Sequence, residues 1–390
     1  MRERQLDMNN RICLVTYYNT LNYGTSLQAY ALQKTICNLG FECQILKNIP
    51  ISPLDNFQNH KNVNTLFRLK ALIVKIVFFR KNKEKVHNFL DFCKENFSFC
   101  NYDLLNENDL KEINNRFNVF LVGSDQSWNP VSGQRQKSFL LDFVNEKNNK
   151  SAYGPSFGVQ ELPERFEKYY SEKLNKFSFL STREESGIRI IEKLTGKEAS
   201  LVLDPVFLLS RNEWDNLSSG NDLYSNYILC YFLGGDKSIR NSAKKYAKKN
   251  NLKIVFVCCN TNDYGFNTKN KKRVFPSIAS FLILLKKSCA VFTDSYHGFC
   301  LSIIFNKEVF VSLRFDNSDC FSENGRILSL VNLLDFPIER VFLKNKCSYE
   351  AVKKCKPIRY SSILDKVDKN RERSILYLKQ ALLYDKNKQR

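Results

Sequence analysis

Residues 290–307 read Ala-Val-Phe-Thr-Asp-Ser-Tyr-His-Gly-Phe-Cys-Leu-Ser-Ile-Ile-Phe-Asn-Lys: an apolar run, a polar break and a helix-like stretch from Phe299 to Phe305. That is a buried strand, a turn and a helix start. In open α/β sheets ligands gather outside the carboxyl ends of the strands, where helix N-termini direct free N–H groups at anions. His297, one of three histidines in the chain, stands in that turn. An imidazole there can exchange a proton near neutral pH. Asp294 and Ser295 can hydrogen-bond a ligand, and Gly298 removes a Cβ that would crowd one. A capping Asp/Ser pair beside a merely packed histidine reads the same residues as well.

Outward from this turn the pattern repeats. Asn226–Leu233 reads as a strand, Gly234-Gly235-Asp236 as a turn feeding a helix through Lys249, and Lys253–Cys258 as the next strand. Pro276–Lys286 is a helix, Cys289–Thr293 the strand before His297, Val309–Leu313 a further strand and Gly325–Leu334 a helix. The first half alternates likewise. Arg11–Tyr17, Phe41–Leu46, Asn118–Val122, Ser151–Tyr153, Phe177–Ser181 and Ser200–Leu203 are strand-like, while Ser26–Leu39 and Glu184–Leu194 have helical periodicity. Alternating elements imply helices covering parallel sheets. We therefore expect an α/β protein of two Rossmann-like domains, spanning 1–210 and 211–350. Ser361–Tyr384 is a periodic helix with a serine cap, and the segment 351–390 is expected to pack back on the first domain.

At 390 residues the chain is long enough for two cores. Its 60 Lys+Arg against 40 Asp+Glu give a formal charge of +20, which favours anionic ligands or surfaces. The cations are scattered and carry no zinc-finger or RNA-recognition signature, so no nucleic-acid partner is expected. The 13 cysteines lie mostly in apolar runs without a Cys-x-x-Cys pair, which fits a reducing cytoplasm and argues against structural zinc. The charged N-terminal residues do not resemble a signal peptide. Leu66–Lys81 is apolar but studded with cations, either an interfacial helix on anionic lipid or a core helix with snorkelling lysines. Ser52–Asn64 reads as a surface loop.

Three further loops could carry chemistry. Tyr17–Ser26 lacks both the dinucleotide and the P-loop glycine patterns, but Asn22, Tyr23 and Gly24 suit hydrogen bonding and stacking against a sugar. A helix start capped by Thr25 or Ser26 is the equal alternative. Val122–Pro130 (VGSDQSWNP) places Ser124, Asp125, Gln126 and Trp128 at a strand end, a residue set of the kind carbohydrate sites use, although an indole that fills a domain interface reads Trp128 as well. Ser181–Ser186 (STREES) puts Arg183 where a helix opens, suited to a carboxylate or phosphate, with an Arg–Glu surface pair as the equal alternative. Arg314 follows a strand in the same way, and Arg326 stands nearby in sequence. His60 and His87 lie far along the chain from His297, and no spaced metal-ligand set is apparent.

With these loops quoted, the chain resembles the polysaccharide pyruvyl transferase family. The resemblance rests on Tyr17–Gln33, Val122–Pro130, Ser151–Gly158 (SAYGPSFG), Ser181–Ser186, Leu203–Leu208 (LDPVFL) and Thr293–Lys307, in the expected order. It implies a fold similar to two-domain GT-B glycosyltransferases. It also implies transfer of pyruvate from phosphoenolpyruvate onto a cell-surface glycan or its lipid-linked precursor, usually as a ketal, without metal or nucleotide. By resemblance His297 and Arg183 are catalytic. Ser295, Gly298 and Arg314 join them on the donor, while Asn22, Tyr23, Gly24, Ser124, Asp125, Gln126 and Trp128 face the acceptor. Some relatives carry an arginine before the histidine, where this chain has Ser295-Tyr296. A nucleotide-sugar glycosyltransferase and a catalytically silent carbohydrate binder are the competing readings.

Overall fold

The computed structural model describes residues 11–18, 20–47, 83–130, 135–218, 220, 224–259, 271–316 and 322–383. The expected interfacial helix at 66–81 and the loop at 52–64 lie outside these residues.

Two parallel sheets organise the chain. The first has order β3-β2-β1-β4-β5, from β1 (Arg11–Val15), β2 (Glu42–Lys47), β3 (Phe99–Asn101), β4 (Val119–Val122) and β5 (Asn149–Ala152). A two-stranded pair follows, β6 (Ser181–Thr182) with β7 (Ser200–Leu201). The second sheet has order β10-β9-β8-β11-β12-β13, from β8 (Tyr227–Tyr231), β9 (Lys253–Val257), β10 (Lys271–Val274), β11 (Ala290–Thr293), β12 (Glu308–Ser312) and β13 (Val341–Phe342). Strands β4, β8 and β11 are buried along their whole length. This is why they appear in the sequence as unbroken apolar runs.

Strand order reverses between β1 and β4 in the first sheet and between β8 and β11 in the second. At such a switch point the two connecting loops part to opposite faces and leave a crevice. The loops after these four strands carry Asn22, Asp125, Gly234 and His297, so topology brings the chemistry-bearing turns together.

The two sheets share one core. Helix α1 (Tyr23–Asn38) belongs to the first half, yet its Tyr23 ring stacks on Phe281 at 4.4 Å and 16° in α4 (Ile278–Lys287) of the second. Between them in sequence come α2 (Glu185–Thr195) and α3 (Lys237–Lys249). The Tyr23 hydroxyl donates to the Pro276 carbonyl at 2.8 Å. Next in the chain are α5 (Tyr296–Ile304), α6 (Gly325–Leu334) and α7 (Tyr360–Leu383). Helix α7 lies against β5: Tyr377 donates to the Ala152 carbonyl at 2.8 Å, and the Asn149 amide donates to the Ala381 carbonyl at 3.0 Å.

Several boundaries differ from the sequence reading. Helix α1 starts at Tyr23 because Asn22, not Thr25 or Ser26, is the cap and accepts the Gly24 N–H at 3.0 Å. The expected strand Phe177–Ser181 shrinks to an isolated bridge at Phe179 and the short β6.

Candidate active site

Helix α5 begins where β11 ends. Ser295 caps it by accepting the Gly298 N–H at 3.2 Å, and this fixes the direction in which His297 leaves the first turn. Gly298 is required by protein packing rather than ligand room. A Cβ there would stand 2.7 Å from the Thr293 hydroxyl and 3.0 Å from the Tyr231 ring. Asp294 is likewise committed, accepting the Leu233 and Gly234 N–H groups at 2.6 and 2.8 Å.

His297 projects across to the first half. Its Nε2 lies 3.4 Å from an Asp204 carboxylate oxygen and 3.5 Å from Nη1 of Arg183. Arg183 stands at the end of β6, and its side chain is fully buried. It donates to Asp204, to Asp125 at 3.2 Å and to the Ser124 hydroxyl at 3.3 Å. The guanidinium also lies 4.6 Å from the centroid of the Tyr296 ring. Asp204 and Asp125 are anchored independently, Asp204 by the Val206 N–H at 3.1 Å and Asp125 by the Thr25 hydroxyl at 2.7 Å. Asp125 adopts a left-handed backbone, φ 66°, which turns its carboxylate back toward the arginine.

Burial disfavours ionisation of both aspartates, but the charges of His297 and Arg183 outweigh it and hold Asp125 and Asp204 below the ordinary carboxylate range. Burial also opposes the charge on Arg183, yet Asp204 heads the partners that keep it protonated well above its usual range. Glu184 differs: burial dominates and raises its pKa, although it accepts the Phe157 N–H at 2.9 Å.

A second group of charges adjoins the first. Arg314, just after β12, and Arg326, in the first turn of α6, both donate to Glu323. Arg326 faces the Tyr296 ring at 5.7 Å and contributes to holding Asp125 ionised, so the two groups are continuous. Among the described residues no cluster of three or more His, Cys, Asp or Glu side chains is arranged to hold a metal ion.

The structure thus gathers His297, Arg183, Ser124 and Asp125 at one point and places Arg314 at its flank. Gly24 belongs there too, as a contact surface: a Cβ on it would lie 2.3 Å from the imidazole. Gly24→Ala should therefore displace His297 and lower turnover by about tenfold or more, with the thermal midpoint shifting by only a few degrees. Activity within twofold of wild type would show that the close approach is immaterial.

Three expectations for the acceptor side change. Trp128 is fully buried, its indole N–H donates to the Phe139 carbonyl at 3.1 Å, and Phe157 and Phe177 surround it, so it cannot stack on a sugar. Tyr23 is spent on the seam between the halves, as described above. Gln126 accepts from Asn129 at 2.7 Å and hydrogen-bonds Glu323, bridging the halves. Asn22 keeps some exposure beside Tyr231, whose hydroxyl donates to it at 3.4 Å. Sequence reasoning missed Asp204, Glu323 and Tyr296 as members of the site. For Asp204 the available signal was its place within Leu203–Leu208, one of the quoted motifs.

The family described as polysaccharide pyruvyl transferase matches residues 22–314. The chain belongs to this family. No curated protein matches it. Among solved structures, the chain is similar to the UDP-GlcNAc 2-epimerase of Methanocaldococcus jannaschii in complex with UDP-GlcNAc and UDP. They share 12% identity over 92% of this chain and 98% of the other, with a TM-score of 0.50. The S. aureus protein MnaA, solved with UDP, is 11% identical over 96% and 97% of the two chains, with a TM-score of 0.53. A putative UDP-N-acetylglucosamine 2-epimerase from Listeria monocytogenes gives 11% identity, coverage of 95% and 91%, and a TM-score of 0.51. At such identities the likeness concerns the fold, which is the two-domain GT-B type. The pyruvyl transferase is an enzyme, a transferase acting on polysaccharide. No described helix is long and apolar enough to cross a membrane.

Proposed function

We propose that the enzyme transfers pyruvate from phosphoenolpyruvate to a sugar of a cell-surface polysaccharide or its lipid-linked precursor, leaving the pyruvate as a ketal. The observation that carries this reading is the contact between His297 and Arg183, 3.5 Å across the two halves. It sets a proton-exchanging imidazole beside a permanently charged guanidinium, within reach of one small anionic enol ester. A proton reaches the donor's methylene carbon and leaves an oxocarbenium-like centre. A sugar hydroxyl adds to that centre and loses its proton, the carbon–oxygen bond to phosphate breaks, and a second hydroxyl closes the ketal. Phosphate departs with one of the released protons, so each ketal formed releases one phosphate.

His297 serves as the acid and base of these steps. Asp204 stabilises the imidazolium and orients the ring. Arg183, with Arg314 at the flank, offsets negative charge on the donor and on departing phosphate. The basic surface suits work beside anionic lipid at the inner membrane face, where lipid-linked acceptors are found.

The test is phosphate release from phosphoenolpyruvate that depends on acceptor glycan, together with a glycan mass gain of pyruvic acid less water. Release without acceptor, or an acceptor of unchanged mass, would count against the reading.

A further inference from the structure

The arginines and carboxylates of the site pair with one another, although Arg183 Nε and Glu184 Oε2, 4.0 Å apart, make no hydrogen bond. Arg183, Arg314 and Arg326 face the four carboxylates of Asp125, Glu184, Asp204 and Glu323, which outnumber them. A multiply charged donor entering this set adds negative charge in a poorly screened place, and one internal carboxylate has to give way. Each of the four also has a neutral partner: the Val206 N–H for Asp204, the Thr25 hydroxyl for Asp125, the Phe157 N–H for Glu184 and the Gln126 side chain for Glu323.

Glu323 is placed differently. It stands in the turn before α6, outside any strand or helix, and accepts Nη2 of both Arg314 and Arg326. The Gln126 amide adds a neutral contact. Its side chain keeps 17% exposure, close to the 14% of Asp125 and above the 0% of Asp204 and 1% of Glu184. Two guanidiniums converging on one carboxylate form a fork that any carboxylate of similar size can use.

We propose that Arg314 and Arg326 form a subsite for the donor's carboxylate, and that Glu323 is its resident occupant, displaced when the donor binds. The subsite stands on the arginine pair and its carboxylate; naming phosphoenolpyruvate as the donor rests on the reading above. A tethered occupant keeps the buried Arg326 paired while the site is empty. It also lowers apparent affinity by the fraction of time the fork is vacant.

The experiment measures binding of pyruvate and of phosphoenolpyruvate by calorimetry to the full chain, wild type against Glu323→Gln and Glu323→Ala. With the fork vacant about a tenth of the time in wild type, both variants should bind either anion about tenfold more tightly. Adding Arg314→Gln to Glu323→Gln should abolish the gain. A purely structural role for Glu323 predicts weaker binding instead. Equal or weaker affinity for both anions in both variants overturns the inference. Tighter pyruvate binding with no binding of phosphoenolpyruvate upholds the subsite and removes the proposed donor.

Discussion

Replacing His297 with asparagine should lower turnover about 10²–10⁴-fold, the range by which a positioned acid or base accelerates proton transfer. The residue is nearly buried, stands on the first turn of α5 and meets Asp204 from the opposite half. Asparagine retains a hydrogen-bonding side chain there but cannot exchange a proton near neutral pH. The loss should appear in kcat with KM for the donor changed only a few-fold, because the arginines that attract the anion remain. Initial rates over a range of donor concentrations decide the matter. A kcat within a few-fold of wild type would remove the imidazole from the chemistry and leave it as a packing residue.

Arg183→Met should damage the protein as well as the reaction. The guanidinium is fully buried and donates to Asp204, Asp125 and Ser124, so its loss takes the counter-charge from one fully buried and one largely buried carboxylate. Breaking such an arrangement from one side costs about 3–5 kcal/mol, because the remaining carboxylates keep their neutral donors but lose the counter-charge closest to them. Acid should narrow the deficit. In wild type both aspartates are depressed, so their stabilisation is complete above the ordinary aspartate range near pH ~4 and fades as pH falls through their lower folded values. In the variant burial acts on them without Arg183, and protonation removes the penalty at higher pH. Thermal midpoints of both proteins between neutral pH and about pH 4 should therefore converge. A gap that is small and constant with pH would mean the carboxylates do not depend on Arg183.

Much of the architecture could be read from the chain because the central strands of parallel sheets are covered on both faces. Tyr227–Tyr231 and Ala290–Thr293 are continuous apolar runs for that reason. Of the sheet edges only β5 was legible. Lys271–Val274 is Lys-Lys-Arg-Val, and Phe99–Asn101 is only three residues long, the kind of short or charged edge that blunts pairing with another chain. In the site, the turn around His297 announced itself through a strand, a break and a helix start. Asp204 did not, since Asp-Pro reads as a cap and its Oδ1 does cap the turn at Pro205–Phe207; only the other carboxylate oxygen enters the site. Trp128 and Tyr23 misled in the opposite sense. Each has a polar tip that a ligand could engage, but the chain itself supplies the acceptor, 11 residues away for Trp128 and 253 residues away for Tyr23. Local sequence carries no trace of a partner so distant.

Helix α7 has a consequence for the order in which the protein is made. Strand β5 is an edge of the first sheet, and its Asn149 and Ala152 find partners on a helix more than 200 residues downstream. Residues 178–181 cover part of that flank early, but on the ribosome the part met by α7 stays open while the whole second sheet is synthesised, an interval in which a nascent chain can be captured by chaperones or by another copy of itself. The same helix accepts the Leu203 N–H through Ser374, immediately before Asp204. Placement of Asp204 is thereby coupled to the arrival of a residue translated 171 positions after Leu203, and removing α7 should yield an inactive intermediate rather than a smaller working enzyme.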